Sequence, residues 1–208
     1  MTRPRVGIVG AGQLGRMLAL AGYPLGIDCT VLDTAADAPG AQVADAVLGE
    51  LGDPAALARL ADRVDVVTLE IENVAVAALE SLHGRIEVFP PPAAVAAAQD
   101  RLAEKTLFRS LGIPTAAFVT IDSQDDAAAA EKLAWPVILK TRRMGYDGRG
   151  QRVVASTAAL AAAWRELGGV PSIAEAFVKF EREVSLIAVP AQVPKNGSER
   201  SSARPSIG

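Results

Sequence analysis

The chain has 208 residues, of which 50% are hydrophobic and only 4% aromatic, so its core must be built mainly from aliphatic side chains. Its 21 basic and 24 acidic residues give a net charge of −3, which is not the strongly basic balance typical of nucleic-acid-binding proteins. The one cysteine, Cys29, excludes an internal disulfide and predicts a reducing, cytoplasmic location. Together with the single histidine, His83, it argues against a Cys/His zinc site. No stretch is apolar enough to predict a membrane span.

Strands and helices alternate over the first part of the chain. The predicted strands are 5–9, 29–32, 64–69 and 86–89. The predicted helices are 16–21, a short helix that starts at Pro54 behind an Asp53 cap, and 74–82. In the first helix the spacing predicts one apolar face, formed by Leu14, Met17, Leu18 and Ala21. The alternation predicts an α/β domain with a parallel sheet and right-handed crossovers.

Three prolines at 90–92 mark a break, after which the pattern changes. The predicted helices are 93–111, in two pieces meeting near Asp100, then 125–133 and 157–167. The predicted strands are 117–121, 137–140, 151–155, 172–175 and 183–189. From Pro190 onward the sequence is polar without a period, which predicts a disordered tail. These changes divide the chain into 1–92, 93–189 and 190–208.

A glycine pattern follows the first predicted strand, since Gly10-x-Gly12-x-x-Gly15 stands directly before the first helix. Glycines there allow a tight turn, and the helix N-terminus then presents free N–H groups to an anion. Asp33 ends the next strand, about 20 positions later, where dinucleotide-binding domains place a ribose-binding acid. The pattern predicts a phosphate-binding loop, with a nicotinamide cofactor if Asp33 binds ribose, or a tight turn that binds no nucleotide.

A second cluster is basic and rich in glycine. Lys140 ends a predicted strand, and a loop over 142–150 follows it. Against one acid, Asp147, this region carries four arginines: Arg142, Arg143, Arg149 and Arg152. Lysine and arginine donors suit phosphate oxygens, and glycines let the backbone lie over them. The cluster predicts a phosphate-binding flap, although a solvated hairpin would show the same glycines.

Acidic residues stand at the ends of predicted strands. Glu70 and Glu72 follow one strand at the carboxyl edge, where parallel sheets bind ligands. Glu175 closes a later strand, and Glu181 and Glu183 are two residues apart, so they would share one side of a strand. Such carboxylates can accept ribose hydroxyls or an adenine amino group, but taken alone they are more typical of an exposed edge with mixed charge.

Taken together, these stretches resemble the N5-carboxyaminoimidazole ribonucleotide synthases, a family of the ATP-grasp superfamily. The resemblance covers residues 5–189, and its most specific parts are Gly-Gln-Leu-Gly-Arg-Met at 12–17 and Gly-Tyr-Asp-Gly-Arg-Gly-Gln at 145–151. The other matching stretches are 70–73, 100–102 with Lys105, 111–115, Lys140, Glu175 and 183–185. The resemblance implies a Rossmann-like pre-ATP-grasp domain with a parallel sheet, followed by the N-terminal part of an ATP-grasp α+β domain.

The resemblance implies an enzyme of purine biosynthesis that uses ATP and bicarbonate to carboxylate 5-aminoimidazole ribonucleotide through carboxyphosphate. It also implies a homodimer. The implied ATP contacts are Arg101 and Lys140, the flap residues Gly145, Tyr146, Asp147, Gly148, Arg149, Gly150 and Gln151, the adenine hinge Glu175, Ala176, Phe177 and Val178, and the ribose acceptor Glu183. The implied substrate contacts are Gln13, Leu14, Glu70 or Glu72, Tyr146 and Arg149.

The match ends at Pro190, where the family would continue with an Arg-Gly turn and with the residues that bind Mg2+. Met144 also stands where the family more often has glycine. We therefore expect the Mg2+ ligands to lie outside these 208 residues, and we expect this chain alone to show no turnover.

Two other interpretations use the same residues. A nicotinamide-dependent oxidoreductase would rest on the Gly10 pattern and Asp33, but it leaves the flap at 145–151 unexplained. A non-catalytic nucleotide-binding fragment would share every motif with the ligase and differ only in activity. Comparing thermal stabilisation by ATP and by NAD separates the first of these from the ligase.

Overall fold

The computed structural model describes residues 2–145 and 149–188. It divides into a unit spanning 1–177 and a second unit spanning 178–208. The helices and strands of the described residues all lie in the first unit, whereas residues 178–188 of the second unit form neither. Within the described ranges, no helix has the length and apolar character needed to cross a bilayer.

Five parallel strands form the first sheet, in the order β3-β2-β1-β4-β5. The strands are β1 Arg5–Val9, β2 Asp28–Asp33, β3 Asp45–Leu48, β4 Val66–Leu69 and β5 Val88–Phe89. The helices are α1 Gln13–Gly22, α2 Pro54–Ala61, α3 Val76–Glu80 and α4 Pro92–Ala98, with 3-10 turns at Tyr23–Leu25 and Pro39–Gln42. The predicted parallel α/β sheet is confirmed. The sequence analysis missed β3, because four residues are too few to show a strand period.

The two faces of this sheet carry unequal cores. On the face covered by α2 and α3, fully buried leucines fill the space: Leu57, Leu60, Leu79 and Leu82. On the face covered by α1 the buried cluster is small and partly alanine: Ile8, Ala11, Ala19, Val31 and Ala38. Most of the apolar burial that stabilises the sheet is therefore on the α2–α3 face.

The predicted apolar face of α1 was assigned to the wrong side of the helix. Leu14, Met17 and Leu18 are about half exposed, whereas Gly15 and Ala19 are buried, as is Gly22. A Cβ on Gly15 would lie 2.8 Å from the carbonyl oxygen of Gly10, so only a glycine permits this approach. The helix therefore lies on its small residues, because close contact with the β1–α1 loop leaves no room for leucines.

Four strands form the second sheet, which is antiparallel with the order β6-β9-β7-β8. The strands are β6 Phe118–Ile121, β7 Val137–Thr141, β8 Gln151–Val154 and β9 Ser172–Ala176. The accompanying helices are α5 Arg101–Ser110 and α6 Thr157–Glu166. The predicted break at Asp100 is confirmed, because its carboxylate caps α5 by accepting a hydrogen bond from the Leu102 amide at 2.9 Å.

The helix predicted over 125–133 is a 3-10 helix, Asp125–Lys132. Its buried residues Ala127, Ala130 and the following Leu133 recur every three positions, which is the repeat of a 3-10 helix. The Asp126 carboxylate also accepts hydrogen bonds from the amides of Asp122 and Ser123, which tightens the first turn. Alanine content indicated helix, but the packing contacts select the tighter form.

The strand predicted over 183–189 is not present in residues 183–188, and Val189 lies outside the described residues. Val184, Leu186 and Ile187 are 86%, 91% and 93% exposed. Branched side chains gave the sequence signal, but a strand forms only where a neighbouring backbone supplies its hydrogen bonds. The tail predicted over 190–208 lies outside the described residues. The division at residues 92 and 189 stays a prediction.

Replacing Asp53 with alanine tests the predicted cap of α2. Its carboxylate accepts hydrogen bonds from the Ala55 and Ala56 amides at 3.0 and 3.2 Å. Asp53→Ala should lower the free energy of unfolding by about 1 kcal/mol, measured by urea denaturation. Asp45→Ala, which removes an exposed carboxylate that caps no helix, is the control. Equal losses in the two variants would contradict the capping role.

Candidate nucleotide-binding site

The glycine loop between β1 and α1 is shaped around the carboxylate of Glu70. Gly10 has φ +98°, and a Cβ built there would collide with Glu70 Oε2. A Cβ on Gly12 would lie 3.0 Å from Glu70 Oε1. Glu70 directly follows β4, so two neighbouring parallel strands bring the loop and this acid together at their carboxyl edge.

The predicted substrate contacts divide into two groups. Gln13 and Leu14 begin α1 and are exposed beside the glycine loop, with Glu70 half-buried next to them. Glu72 is exposed, and its carboxylate accepts a hydrogen bond from the Asn73 amide group at 3.2 Å. Between the two glutamates that the sequence left open, Glu70 is the one in contact with the loop.

Asp33 serves the backbone of the same loop. Its Oδ2 accepts a hydrogen bond from the Ala11 amide at 2.8 Å, and its Oδ1 accepts one from the Ala35 amide at 3.1 Å. These bonds use part of the acceptor capacity of the carboxylate. Asp33 therefore stabilises the loop, which accounts for its position without a nicotinamide cofactor.

The second half of the candidate site centres on Glu175, a buried acid on the interior strand β9. Its Oε2 lies 2.8 Å from Lys140 Nζ, and its Oε1 lies 3.3 Å from Lys105 Nζ. Lys140 comes from β7, the neighbouring strand, and Lys105 comes from α5. One buried carboxylate is therefore shared by two ammonium groups, which leaves this cluster net positive.

Three cationic residues lie on one side of helix α5. Arg101, Lys105 and Arg109 are spaced by four residues, which places them on one side of a helix. Lys105 Nζ lies 5.6 Å from the centroid of the Phe118 ring, and the Arg109 guanidinium lies 3.8 Å from it. Lys105 also donates a hydrogen bond to Thr115 Oγ1 at 3.0 Å. These contacts fix the cationic side of α5 against β6.

Arg101 joins the start of α5 to the start of the flap. Its amide donates to the Arg142 carbonyl at 3.0 Å, and its Nη2 donates to the Gly145 carbonyl at 3.0 Å. The flap closes where the Thr141 amide donates to the Gly150 carbonyl at 2.8 Å. Gly150 has φ +71°, and a Cβ there would lie 2.6 Å from Thr141 Oγ1, so the closure requires glycine.

Arg142 is bound to Asp100. Its Nε and Nη2 donate to the two carboxylate oxygens of Asp100 at 3.0 and 2.7 Å. Burial opposes ionisation of Asp100, but hydrogen bonds from Arg142 and from the Leu102 amide, with the Arg142 charge, lower its pKa below the usual value. Arg142 was predicted to be one of the cations of the flap, whereas its guanidinium binds the Asp100 carboxylate.

The other predicted site residues lie in several places. Gln151 begins β8 and pairs with Lys140, and Arg149 is exposed just before it. Arg152 pairs with Leu139, on the opposite face of the hairpin from Lys140. Ala176 ends β9, and Phe177 follows it with 44% exposure. Tyr146, Asp147 and Gly148 lie outside the described residues, and Val178 and Glu183 belong to the second unit.

Sequence reasoning matched Lys105 and Asp100 to the family but assigned neither a role. Lys105 shares the Glu175 carboxylate, and Asp100 binds Arg142. The signal for Lys105 was its spacing of four from Arg101, which puts both on one side of α5. Aspartate is a residue type typical of helix caps, but nothing in the sequence indicates that Asp100 binds Arg142, 42 positions away.

Two family models match the chain in succession. The model of the ribonucleotide synthetase preATP-grasp domain matches residues 3–99, and the model of the ATP-grasp domain matches residues 106–197. The chain is therefore an ATP-grasp protein in which a pre-ATP-grasp domain comes first.

Individual relatives indicate which family of ATP-grasp proteins the chain resembles. An N5-carboxyaminoimidazole ribonucleotide synthase of Pseudomonas aeruginosa is 46% identical over 189 residues, which cover 90% of this chain and 52% of that protein. The one of Brucella melitensis is 45% identical over 187 residues, covering 88% and 52%.

Solved structures give the same result. The crystal structure of the Thermus thermophilus synthetase has a TM-score of 0.76 at 45% identity, covering 85% of this chain and 48% of that one. The Aspergillus clavatus synthase, whose crystal structure is complexed with ATP, has a TM-score of 0.80 at 34% identity, covering 86% and 48%. The chain belongs to the N5-carboxyaminoimidazole ribonucleotide synthase family, and it spans about half the length of the curated relatives it matches.

Replacing Glu175 with glutamine tests the shared carboxylate. The substitution leaves Lys105 and Lys140 without their common counterion, so the free energy of unfolding should fall by about 2 kcal/mol. Glu166→Gln removes an exposed acid at the end of α6 and serves as the control, with little change expected. Chemical denaturation of both variants measures the difference, and a neutral Glu175→Gln would contradict the interpretation.

The lowered pKa of Asp100 predicts a pH dependence. A carboxylate whose folded pKa lies below its unfolded value stabilises the fold at neutral pH, and this contribution is lost as pH falls through the lowered pKa. The difference in unfolding free energy between wild type and Asp100→Asn should be constant near pH 7 and shrink below about pH 4.

Other acids do not obscure this comparison. Hydrogen bonds from Arg5 and Ser123 also lower the pKa values of Asp65 and Asp126, but both acids are present in both variants, so their effects cancel. Urea unfolding curves recorded between pH 3 and pH 7 measure the difference. A gap that stays constant through this range would show that Asp100 titrates normally.

Proposed function

We propose that the cluster around Glu175 binds the phosphates of ATP. The observation that carries the proposal is the convergence of Lys105 and Lys140 on one buried acid, with Arg101, one helical turn before Lys105, bound to the Gly145 carbonyl at the start of the flap. Ammonium and guanidinium groups are the side chains that hold phosphoryl oxygens, and Gly145 and Gly150 let the two ends of the flap pack closely against Thr141. In a protein of net charge −3, this local excess of cations favours the binding of an anionic ligand.

The proposed reaction is the one named by the relatives, formation of N5-carboxyaminoimidazole ribonucleotide. A bicarbonate oxygen attacks the γ-phosphorus of ATP, ADP leaves, and carboxyphosphate forms. The exocyclic amine of 5-aminoimidazole ribonucleotide then bonds to the carboxyl carbon, phosphate leaves, and the amine loses a proton. The described residues contribute by holding the phosphates and offsetting their charge, which is the main protein contribution to phosphoryl transfer.

The ribonucleotide would bind beside the glycine loop of the parallel sheet. Support comes from the exposed Gln13 and Leu14 at the start of α1, next to Glu70. The free amides of the helix start suit a phosphate group, and the Glu70 carboxylate suits an amine or hydroxyl donor. A structure of an Aspergillus clavatus synthase in complex with ADP and 5-aminoimidazole ribonucleotide supports the choice of ligand.

Mg2+ belongs to the proposal only as a partner of ATP. Among residues 2–145 and 149–188, no three His, Cys, Asp or Glu side chains come together in a metal-binding group. Glu175 is already shared by two lysines. The described residues are therefore assigned to the phosphates of ATP, and no step is routed through the metal. A homodimer in the cytoplasm is part of the same proposal.

Removing the charge of Lys140 tests the ATP site. Lys140→Met should weaken ATP binding about ten-fold or more, since a charge-assisted contact to phosphate is lost. Lys132→Met removes an exposed lysine from the end of the 3-10 helix and should leave the affinity unchanged. Titration of the full chain with a fluorescent ATP analogue, displaced by unlabelled ATP or NAD, measures both. Equal weakening in both variants, or displacement by NAD alone, would contradict the proposal.

The reaction is tested by ATP hydrolysis with and without 5-aminoimidazole ribonucleotide. Turnover that depends on the ribonucleotide supports the synthase. ATP binding without turnover is the outcome expected from the sequence for these 208 residues alone, and a non-catalytic nucleotide-binding role would give the same result.

A further inference from the structure

We propose that Asp100 and Arg142 are positioning residues for the ATP phosphates, holding Arg101 and the start of the flap in place without touching the nucleotide. The inference rests on the proposed function and deepens it. Asp100 is 5% exposed and lies one residue before α5, and Arg142 lies one residue after β7. Their side chains form a two-point ion pair with donor–acceptor distances of 3.0 and 2.7 Å.

Most of the acceptor capacity of Asp100 is committed to the protein. Besides the two bonds from Arg142, its Oδ1 accepts the Leu102 amide at 2.9 Å, and Arg143 Nε lies 3.5 Å from its Oδ2. One carboxylate thus caps α5 and holds the strand end at the same time. Removing its charge would release both the helix start and the loop.

Arg142 is held at three points. Its amide donates to the Pro171 carbonyl at 3.0 Å, its carbonyl accepts from the Arg101 amide at 3.0 Å, and its guanidinium binds Asp100. A second acid, Asp122, lies 3.6 Å from its Nη1. With two carboxylates around it, this guanidinium is poorly suited to be a phosphate ligand, although it lies in the basic loop.

The consequence falls on the neighbours of this pair. Arg101 follows Asp100 directly, and its Nη2 donates to the Gly145 carbonyl. The Asp100–Arg142 pair and the two Arg101 contacts therefore join α5 to residues 142–145 within a few ångströms. If the pair breaks, Arg101 and residues 142–145 keep their chemistry but are no longer held together, so the Arg101 guanidinium loses its fixed position.

The experiment compares ATP with adenosine, which lacks phosphates. Arg142→Gln and Asp100→Asn should each weaken ATP binding about ten-fold and leave adenosine binding unchanged, since only the phosphate contacts lose their geometry. Binding is measured by NMR titration of the full chain, at a temperature where circular dichroism shows each variant to be folded. Because the two residues act as one pair, the double variant should be no weaker than either single variant by more than about two-fold.

Three further variants separate positioning from charge and from helix capping. Arg165→Gln removes an exposed arginine at the end of α6 and should keep the ratio of ATP to adenosine affinity near that of wild type. Asp53→Ala removes the cap of α2 and should lower stability without changing the ratio. Arg142→Lys keeps the charge but not the two-point geometry, so its ratio should fall between wild type and Arg142→Gln.

Each outcome is decisive. If Asp100→Asn does not fold, Arg142→Gln carries the test, because it leaves the Asp100 cap on Leu102 in place. An unchanged ratio in Arg142→Gln, or an equal fall in Arg165→Gln or Asp53→Ala, would overturn the positioning role while leaving ATP binding intact. A wild-type chain without preference for ATP over adenosine would instead overturn the proposed function, and this inference with it.

Discussion

Glu175 is a carboxylate held inside the antiparallel sheet, and much of the candidate site follows from the need to balance its charge. A buried carboxylate without a partner is strongly unfavourable, so cations must reach it. Lys140 comes from the adjacent strand and Lys105 from α5. The same contacts bring α5 to the sheet, and with it Arg101 at the start of the helix. The acid therefore draws to one place the cationic side chains that we propose to bind phosphate.

The two halves of the chain use acids in a similar way. In the parallel sheet, Asp33 binds amides of the β1–α1 loop, and Glu70 lies against its glycines. In the antiparallel sheet, Asp100 and Glu175 hold arginine and lysine side chains. In each case a carboxylate at the end of a strand or helix orders the groups around a loop. An acidic protein can therefore present locally cationic loops, because many of its carboxylates are engaged in arranging them.

The sequence predicted the features that depend on local chemistry. The cap at Asp53, the break between helices near Asp100 and the glycine turn at Gly10 follow from backbone requirements that a few residues express. Lys140 and Glu175 were identified because residue types at strand ends point to a binding edge, and because the family pattern includes them. Their direct contact, and the part of Lys105 in it, required knowledge of how α5 packs on the sheet.

The predictions that were wrong concern features that depend on how distant parts of the chain pack together. Leu14, Met17 and Leu18 have the spacing of a buried face, but the helix packs through its glycines and alanine instead. The alanine-rich stretch at 125–133 has high helix propensity, but its contacts favour a three-residue repeat. In both segments tertiary packing overrode a correct local tendency. Arg142 was grouped with its neighbours by sequence, and only the fold reveals its partner.

Two consecutive residues of strand β7, Leu139 and Lys140, lie in opposite surroundings, one apolar and one charged. Leu139 is fully buried in the apolar cluster beneath α6, and Lys140, the next residue, faces Glu175 on the other side of the sheet. A slip of one residue in the pairing with β9 would exchange these two sides, driving the ammonium group into the apolar layer and the leucine into the polar one. Hydrophobic stability and the chemistry of the site thus select the same alignment of strands. A substitution that weakens the apolar cluster around Leu139 would accordingly make the position of Lys140 less well defined before the protein unfolds.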